Sequence, residues 1–431
     1  MRVAIYTLGC KVNQYETAAM EQELQRRGHT LTDFESEADV YIINTCSVTA
    51  VSDKKSRQMI RRAKKRNSEA VVAACGCYVQ THTDEAQALG IDLISGTGQR
   101  MEFIDLLEQA VQERRCIVHV DDALRRREFE VLEGGGMASR TRAMLKVEDG
   151  CVNFCTYCII PYARGPVRSE PLSEAVRQTR ELQAEGYREI VITGIEISSW
   201  GKDLKTGESL IDLVEAVCDA AGEMRVRLGS LEPRTITEEF CRRASKLPNL
   251  CPHFHLSLQS GCDETLQAMH RRYDTARFYE SVTLLNQYFD RPAITTDLIT
   301  GFPDETEEHF AQTLQFIEKC GFAAMHIFPY SIRPGTPAAK MPQVEMAVRE
   351  ERAHRAAAVA AKMHRAYLDG CVGKTYPVLF EQTRNGFYVG HAPNYMEVAV
   401  EADDLHNRTL EVTITHTDGE TLFGIIKEET V

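Results

Sequence analysis

Residues 144–165 read MLKVEDGCVNFCTYCIIPYARG, a short apolar segment followed at once by three closely spaced cysteines. The segment 144–147 predicts a β-strand that ends where the polar loop begins. Cys151, Cys155 and Cys158 then form a C-x3-C-x2-C pattern on one tight loop. Three such thiolates can hold three corners of a cubane iron–sulfur cluster and leave its fourth iron open. A zinc site is the alternative, although a fourth Cys or His partner is not evident nearby.

The strand at 144–147 opens a series of six strand–helix units, which make up a predicted central barrel over residues 144–368. The apolar strands fall near 144–147, 189–193, 225–228, 254–258, 293–299 and 322–328. Helical patterns fall near 171–185, 209–221, 235–246, 274–288, 304–319 and 344–368. A full TIM barrel needs eight units, so we expect a partial TIM-like (β/α)6 barrel. The cysteine loop would then lie at the carboxyl ends of the strands, where the active sites of such barrels are found.

Shorter α/β units precede the central barrel, and short strands follow it. Residues 1–120, the sheet domain, predict a doubly wound parallel sheet. Its strands are Val3–Leu8, Val40–Ile43, Val71–Ala74, Ile91–Ile94 and Ile117–Val120, and its helices are Tyr15–Arg27, Ser52–Asn67 and Met101–Glu113. Residues 121–143, with three glycines at 134–136, are typical of a linker. Residues 371–431, the C-terminal barrel, predict about five strands in a small β-barrel.

A second set of cysteines follows strands of the sheet domain. Cys10, Cys46 and Cys77 come after the first, second and third predicted strands. The carboxyl ends of parallel strands meet at one edge of an open sheet, so three loops there can converge on one metal cluster. Three buried structural cysteines are the alternative. Cys75 competes with Cys77, but it ends an apolar strand and is expected to point into the core. The remaining cysteines have no ligand spacing and are expected to be structural: Cys116, Cys218, Cys241, Cys251, Cys262, Cys320 and Cys371.

The composition narrows the class of protein. A chain of 431 residues corresponds to about three domains at ~150 residues each. The formal net charge of -13 argues against a general polyanion binder. The amino terminus does not resemble a signal peptide, and no apolar run of ~18 residues predicts a membrane span. We therefore expect a cytoplasmic protein. Because thiols stay reduced in the cytosol, its 14 cysteines indicate metal binding or catalysis rather than disulfides.

One segment is nevertheless strongly basic. Residues 53–67, DKKSRQMIRRAKKRN, carry eight Lys or Arg against one Asp in a predicted helix. A solvated surface helix is the usual explanation, but a run of one sign in an acidic protein favours phosphate contact. Arg125–Arg127, Arg140 and Arg142 could extend this track. Residues 371–431 carry four basic and ten acidic side chains, so RNA binding there would need groups such as Phe387, Tyr388, Asn394 and Tyr395.

Several motifs together resemble the radical S-adenosylmethionine (SAM) methylthiotransferases. They are TLGCKVNQYET (7–17), NTCSVT (44–49), ACGCYVQ (74–80), GCVNFCTYCIIPYARG (150–165), TGIEISSWG (193–201), SLQSGCDETLQAMHRRY (257–273), TDLITGFPDET (296–306) and FPYSIRPGTPA (328–338). The last ~60 residues resemble the RNA-binding TRAM domain. The CKVNQYET segment is most similar to the subgroup that methylthiolates threonylcarbamoyladenosine next to the anticodon, at position 37.

The resemblance implies two 4Fe–4S clusters, one on Cys151, Cys155 and Cys158 and an auxiliary one on Cys10, Cys46 and Cys77. One SAM would supply the methyl group and a second the radical that removes hydrogen from carbon 2 of adenine. Residues expected to contact SAM are Tyr157, Gly194, Glu196, Gln259, Ser260, Arg271, Asp297 and Gly301. Those expected to contact tRNA are Lys54, Lys55, Arg57, Arg61, Arg62 and Lys65.

The resemblance also implies partners and leaves rival functions. The expected partners are a reductant of the flavodoxin or ferredoxin type and a sulfur donor. No membrane partner is expected. Related subgroups act on isopentenyladenosine in tRNA or on an aspartate of a ribosomal protein. A further alternative is a non-catalytic iron–sulfur protein that binds RNA or carries electrons. It would explain the cysteines and the basic helix, but not the polar residues at the barrel strand ends.

Overall fold

The computed structural model describes residues 1–133 and 141–427. The linker glycines 134–136 and Arg140 lie outside these ranges. The predicted architecture is confirmed: a parallel α/β sheet, a partial (β/α)6 barrel and a closed C-terminal β-barrel follow one another along the chain. Within the described ranges, no helix has the length and apolarity needed to cross a membrane.

The sheet domain is built on six parallel strands in the order β2-β1-β3-β4-β5-β6. They are β1 (Arg2–Thr7), β2 (Thr30–Thr32), β3 (Val40–Thr45), β4 (Val71–Gly76), β5 (Leu93–Ser95) and β6 (Ile117–His119). The helices are α1 (Lys11–Arg26), α2 (Ala50–Arg66), α3 (Cys77–Thr81), α4 (Thr83–Ala88) and α5 (Arg100–Glu113). The three-residue β2 and the short α3 and α4 escaped prediction because they are too brief to show a periodic pattern.

Alternate residues of these strands pack on opposite faces of the sheet. Val40 and Ile42 contact the core under α1 and α5, whereas Tyr41 and Ile43 contact the core under α2. Helices therefore cover both faces, and every residue of β3 is buried. This explains why the central strands read as continuous apolar runs, as is usual for parallel sheets.

The central barrel has six strand positions, the third of which is split. Its strands are β7 (Arg142–Lys146), β10 (Glu189–Thr193), β11 (Arg225–Leu228), β12 (Ser230–Leu231), β13 (His253–Gln259), β14 (Ala293–Thr300) and β15 (Ala324–Pro329), and a small ribbon pairs β8 (Glu148–Asp149) with β9 (Arg168–Ser169). The helices are α6 (Ile160–Arg164), α7 (Leu172–Ala184), α8 (Leu210–Ala221), α9 (Glu238–Ala244), α10 (Asp263–Ala268), α11 (Thr275–Tyr288), α12 (Glu307–Cys320) and α13 (Met346–Asp369).

Gly229 separates β11 from β12, so the hydrogen-bonded sheets are β11-β10-β7 and β12-β13-β14-β15. Its amide donates to the carbonyl of Ile192 at 2.8 Å, which keeps the split strand alongside β10. The outward residues of β7 and β10, such as Leu145 and Ile190, pack under α7 and α8 in the largest hydrophobic core. Their inward neighbours are left to line the barrel interior.

The C-terminal barrel closes in the order β16-β17-β18-β20-β19. Its strands are β16 (Thr375–Arg384), β17 (Phe387–His391), β18 (Glu397–Val400), β19 (Thr409–Thr417) and β20 (Leu422–Ile426). It packs against the amino-terminal ends of the central strands: Arg225 donates to the carbonyl of Pro377 at 3.0 Å, and Arg227 donates to that of Pro393 at 2.8 Å. The C-terminal barrel thus forms the floor of the central barrel.

Candidate active site

The loop of Cys151, Cys155 and Cys158 follows β7 and β8 at the carboxyl end of the barrel. The amide of Cys151 donates to the carbonyl of Gly165 at 2.9 Å, and the amide of Cys158 donates to that of Cys155 at 2.9 Å. Thr156 anchors the loop to the opposite side of the barrel, since its hydroxyl donates to the carbonyl of Ala268 at 2.8 Å. The loop is therefore held at both ends.

These thiols influence one another electrostatically. The pKa of Cys158 is raised to about 12, mainly by burial and next by the neighbouring Cys155. Burial also raises the pKa of Cys151, with Cys155 and Cys158 contributing. The free thiols of Cys151 and Cys158 therefore keep their protons, which a bound metal would displace. Three thiols on one loop fit a cluster that takes three protein ligands.

The second set lies at the carboxyl edge of the sheet domain. Cys10, Cys46 and Cys77 directly or closely follow β1, β3 and β4, as the sequence predicted. Gly9 has φ of +99°, and a Cβ placed on it would lie 2.8 Å from the Cys46 sulfur. Only glycine allows this approach, so the first two loops are brought together by the residue before Cys10.

The side chain of Asn13 links the loop that carries Cys10 to the loop that carries Cys46. Its side-chain amide donates to the carbonyls of Leu8 at 2.7 Å and Thr45 at 3.0 Å. Leu8 and Thr45 lie near the ends of β1 and β3, so one buried side chain spans both strand ends. The sequence analysis did not single out Asn13, although it lies three residues after Cys10 in a helix pattern that a purely structural residue would also fit.

Cys77 and Cys75 point in different directions. Cys75 on β4 lies in the core beneath α1 and α5, on the face that Ala73 also occupies. Cys77 begins α3, and its pKa is raised to about 12, mainly by burial, with Cys46 and Cys10 also raising it. The nearby positive charge of Arg164 opposes this rise in pKa. The geometry therefore groups Cys77, and not Cys75, with Cys10 and Cys46.

A buried network of charges lies between the two cysteine sets. Arg100 donates to Glu16 at 2.9 Å, and Lys146 lies 3.2 Å from Glu16 and 2.7 Å from Asp149. Arg164, from the helix after the Cys158 loop, forms an ion pair with Glu16 as well. Burial opposes ionisation of Glu16, but Arg100 and Arg164 outweigh it and lower its pKa to about 2. This network joins the sheet domain to the central barrel.

Arg333 forms a second connection between the central barrel and the sheet domain. Its guanidinium donates to the Ser47 hydroxyl at 2.7 Å and lies 2.7 Å from Asp53. Ser47 follows Cys46, and Arg333 also lies close enough to Cys158 to lower its pKa. The only sequence signal for Arg333 was its position in the SIRPGTP segment after β15, where a polar residue follows the end of a barrel strand.

Gly194 and Glu196 lie just beyond β10, beside a residue that the sequence analysis missed. A Cβ on Gly194 would lie 2.8 Å from a carboxylate oxygen of Glu148. The amide of Glu196 donates to that same oxygen at 2.6 Å, and the Glu196 carboxylate accepts from the amide of Ser198 at 3.1 Å. Glu196 also raises the pKa of Cys151. Glu148 and Glu196 are therefore hydrogen-bonded neighbours beside the cysteine loop.

Arg271 and Tyr157 lie directly against the cysteine loop. The Arg271 guanidinium donates to the Cys155 sulfur at 3.1 Å, and its Nε donates to the Tyr273 hydroxyl at 3.0 Å. The ring of Tyr157 contacts that of Phe302 edge-on, with centroids 6.4 Å apart. Arg271 thus contacts a candidate cluster ligand directly, whereas the neighbouring Arg272 is exposed.

Gln259 and Ser260 end β13, but only one of them faces the interior. Gln259 has φ of +69° at a register shift between β13 and β14, and it remains partly exposed. Ser260 is fully buried, and its hydroxyl lies 3.4 Å from that of Thr313 and accepts from the amide of Cys262 at 3.3 Å. These contacts turn the Ser260 hydroxyl toward α12, and its contact with SAM stays a prediction.

Asp297 and Gly301 of the β14 region also differ. Asp297 is one third exposed on the barrel interior, and its carboxylate lies 3.2 Å from Nε2 of His255. Gly301 instead contacts α13: a Cβ on it would lie 2.4 Å from Arg349, and its amide donates to Glu305 at 2.8 Å. Gly301 therefore packs closely on α13, and its contact with SAM stays a prediction.

The basic helix α2 begins directly after the Cys46 loop. Thr49 caps it by accepting from the amide of Ser52 at 3.1 Å. Some of its cations are engaged: Arg57 lies 3.6 Å from Glu85, and Arg62 pairs with Glu35 at 2.5 Å. Among the described residues, four of its cations are exposed and have no ion pair: Lys54, Lys55, Arg61 and Lys65. These four form the free basic surface, so Arg57 and Arg62 are less available than predicted.

The linker arginines do not extend this surface as a continuous track. Arg126 pairs with Asp121, and Arg142 lies 2.9 Å from Glu381 of the C-terminal barrel. Arg125 is largely exposed, with Asp122 at 3.2 Å as its partner. Arg140 lies outside the described residues.

The side chains of the C-terminal barrel that were expected to face RNA instead make contacts within the protein. Tyr388 and Asn394 are buried, and the Asn394 amide donates to the Tyr367 hydroxyl at 3.3 Å. Tyr395 stacks between two histidines and lies under Arg227, whose guanidinium is 4.7 Å from the ring centroid. The expectation that these side chains are exposed is wrong. Tyr388 packs in the core of the C-terminal barrel itself, and the turn of Asn394 and Tyr395 packs against the strands of the central barrel. Phe387 is half-buried against Phe423.

A cavity of about 420 Å³ lies where the three parts of the chain meet. Its lining comes from α1, from the inward positions of the first three barrel strands and from the C-terminal barrel: Lys11, Gln14, Thr141, Arg142, Met144, Val191, Arg227, Glu381, Gln382, Tyr395 and His406. Lys11 directly follows Cys10. Its side chain is exposed because it lines the cavity, yet desolvation by the surrounding domains lowers its pKa, as do Arg227 and Arg142.

Comparisons with known proteins agree with this geometry. Residues 2–96 match the uncharacterized protein family UPF0004, and residues 145–317 match the radical SAM superfamily. The threonylcarbamoyladenosine tRNA methylthiotransferase MtaB of Bacillus subtilis is 39% identical, over 96% of this chain and 93% of its own length. MtaB of Thermotoga maritima is 36% identical, over 95% and 92%. The tRNA-2-methylthio-N(6)-dimethylallyladenosine synthase of Acetivibrio thermocellus is 32% identical, over 92% and 85%.

The radical SAM methyltransferase TsrM of Kitasatospora setae, a solved structure with a bound 4Fe–4S cluster, resembles the chain with a TM-score of 0.57. It covers 90% of this chain and 80% of its own length at 14% identity, which shows a shared fold. The two MtaB relatives extend over nearly the whole chain and carry the methylthiotransferase name. The chain therefore belongs to the radical SAM methylthiotransferase family.

Proposed function

We propose that the protein converts threonylcarbamoyladenosine at position 37 of tRNA to its 2-methylthio derivative. The carbon–hydrogen bond at carbon 2 of adenine is replaced by a bond to a methylthio group. The observation that carries this proposal is the pair of buried links between the two cysteine loops. Arg164, in the helix after Cys158, donates to Asn13 beside Cys10 at 2.6 Å, and Arg333 donates to Ser47 after Cys46 at 2.7 Å. The MtaB relatives, at 36–39% identity, support the choice of substrate.

Six cysteines would hold the two 4Fe–4S clusters. Cys151, Cys155 and Cys158 suit the cluster that binds SAM, and Cys10, Cys46 and Cys77 suit the auxiliary cluster. When bound, the clusters supply the reductive cleavage of SAM and the sulfur chemistry, since an unactivated purine C–H bond offers no acid–base route. Electrons would come from a flavodoxin or ferredoxin, and a separate donor would supply sulfur.

The chain's own residues orient these groups. Arg271 donates to the Cys155 sulfur and presents a planar cation to the open side of the loop, where it suits the SAM carboxylate. Gly194 and Glu196 lie beside Cys151 and suit the amino end of SAM. We also assign Tyr157, Gln259 and Asp297 to the SAM pocket because they border the same interior.

The free basic surface of α2 suits the RNA backbone. Lys54 and Lys55 lie near the start of α2, which follows the Cys46 loop, and Arg61 and Lys65 lie farther along the same helix. Exposed cations without ion pairs gain most from phosphate contact, because no existing partner has to be displaced. A non-catalytic iron–sulfur protein would not need the Arg271 and Glu196 contacts at a second cysteine set.

Mass spectrometry of tRNA nucleosides from a deletion strain tests the proposal. The strain should lack 2-methylthio-threonylcarbamoyladenosine and accumulate threonylcarbamoyladenosine. Loss of methylthio-isopentenyladenosine instead would assign the chain to the sister reaction. Unchanged tRNA nucleosides together with a mass change in a ribosomal protein would overturn the tRNA assignment.

A further inference from the structure

The cavity lined by Lys11 continues the barrel interior below the carboxyl ends of the strands, where the cysteine loop lies. Met144, Val191 and Arg227 face one another across β7, β10 and β11 in register, and all three line the cavity. Their sequence neighbours Leu145, Ile190 and Leu228 face outward into the core. Val191 lies two residues before the end of β10, which is about 7 Å along a strand. The cavity is therefore one layer of side chains below the level of the cysteine loop.

The charges around this cavity do not balance. Arg225 and Arg227 share Glu189, at 2.6 and 2.8 Å. Arg142 lies 2.9 Å from Glu381. Lys11 has no ion pair among the residues that the structure describes. Four cations therefore face two carboxylates, and the unpaired cation is the one whose side chain is exposed in the cavity.

The proposed substrate carries the missing charge. The threonylcarbamoyl group on N6 of adenine ends in a carboxylate and also bears a hydroxyl. The reacting carbon 2 is separated from carbon 6, which bears N6, by a single ring nitrogen. With carbon 2 held at the edge of the cysteine loops, a substituent on N6 can extend into the layer below. Lys11, next to Cys10, is the residue that stands at this entrance.

We infer that Lys11 binds the carboxylate of the threonylcarbamoyl group in this cavity and so selects the substrate. The inference rests on the proposed function and adds its specificity residue. A dimethylallyl group, the substituent named for the related synthases, is uncharged and would leave Lys11 desolvated and unpaired. The cavity thus disfavours the sister substrate as well as favouring its own.

Binding of anticodon stem-loop RNAs to the reconstituted protein tests this inference. The RNAs carry threonylcarbamoyladenosine, its methyl ester, dimethylallyladenosine or plain adenosine at the reacting position. The wild type should bind the free acid roughly 10- to 100-fold more tightly than the ester, since a charge-assisted contact is lost. Lys11→Met should bind acid and ester equally, and Lys11→Arg should keep most of the preference.

Two controls separate the possible failures. Lys65→Met removes a cation from the α2 surface and should weaken all four RNAs by the same factor. Iron and sulfide content of each variant reports whether Lys11→Met still assembles its clusters. If the wild type prefers the acid and Lys11→Met retains that preference, the inference is wrong and the proposed function stands. If the wild type shows no preference for the acid and makes no methylthio product from it, both fall.

Discussion

Arg333 of the central barrel lies 2.7 Å from Asp53 of the sheet domain, and both side chains are buried. The same guanidinium donates to Ser47, the residue after Cys46, and lowers the pKa of Cys158. One side chain therefore contacts the loop of one cysteine set and the surroundings of the other. This ion pair sets how the two reaction centres face each other.

Replacing Arg333 with Met should uncouple the two halves of the reaction. Asp53 would be left buried without its counter-ion, a loss that costs about 3–5 kcal/mol in comparable pairs. We expect a lower thermal midpoint and more 5′-deoxyadenosine formed per methylthio product, both measured in one anaerobic assay. The double variant Asp53→Asn with Arg333→Met should regain stability but not coupling. An unchanged product ratio in Arg333→Met would contradict this role.

The two cysteine sets should fail in different ways. Cys155→Ala should abolish SAM cleavage, because a cluster held by two thiolates is poorly retained. Cys77→Ala should preserve 5′-deoxyadenosine formation and abolish methylthiolation. Iron content should fall by about half in either variant, since each removes one of two four-iron clusters.

Cys75→Ala is the matched control for Cys77→Ala. It removes a buried sulfur from the α1 and α5 core and should cost some stability without changing iron content. If Cys75→Ala instead stopped methylthiolation while Cys77→Ala did not, the assignment of the third ligand would be wrong.

Removing the free cations of α2 should weaken tRNA binding through electrostatics alone. Replacing Lys54, Lys55, Arg61 and Lys65 with Ala should lower affinity for modified and unmodified tRNA alike. Each lost phosphate contact should reduce the slope of log affinity against log salt by roughly 0.7–0.9. Arg62→Ala is the comparison, because its charge is already shared with Glu35 and its effect should be smaller. If this variant had the same salt slope as the wild type, α2 would not be part of the tRNA interface.

Glu170 should make stability depend on pH. Burial raises its pKa from 4.5 to about 8, and one of its oxygens has only Gln178 as a donor, at 2.7 Å. The folded state holds this proton more tightly than the unfolded state, so stability falls as the pH rises through that interval, by on the order of 4 kcal/mol. Glu170→Gln should flatten the decline in thermal midpoint between pH 6 and 8.5. The exposed Glu185→Gln should leave the decline as in the wild type.

The sequence predicted the elements that repeat and the cysteines that follow strands. The strands of the sheet domain and the central barrel were recognisable because continuous apolar runs mark buried parallel strands. Cys77 was separable from Cys75 because alternate residues of a strand face opposite ways, and the core contacts of Cys75 agree.

The contacts between distant segments could not be predicted in the same way. Arg164 with Glu16, Arg333 with Asp53 and Arg227 with the C-terminal barrel join residues far apart in sequence. A buried arginine has the same local pattern as an exposed one, so only the packed domains show which charges are paired. For the same reason Tyr395 and Asn394 were expected on the surface, although the turn that bears them is covered by the central barrel.

The buried network around Glu16 makes the sheet domain and the central barrel one rigid frame. Neither cysteine loop can approach the other without breaking several desolvated ion pairs. A reaction that draws on both loops must therefore bring the nucleobase to them, out of the stack of the anticodon loop. Extruding a base costs a few kcal/mol. The phosphate contacts proposed for α2, the helix that follows the Cys46 loop, would help to offset this cost.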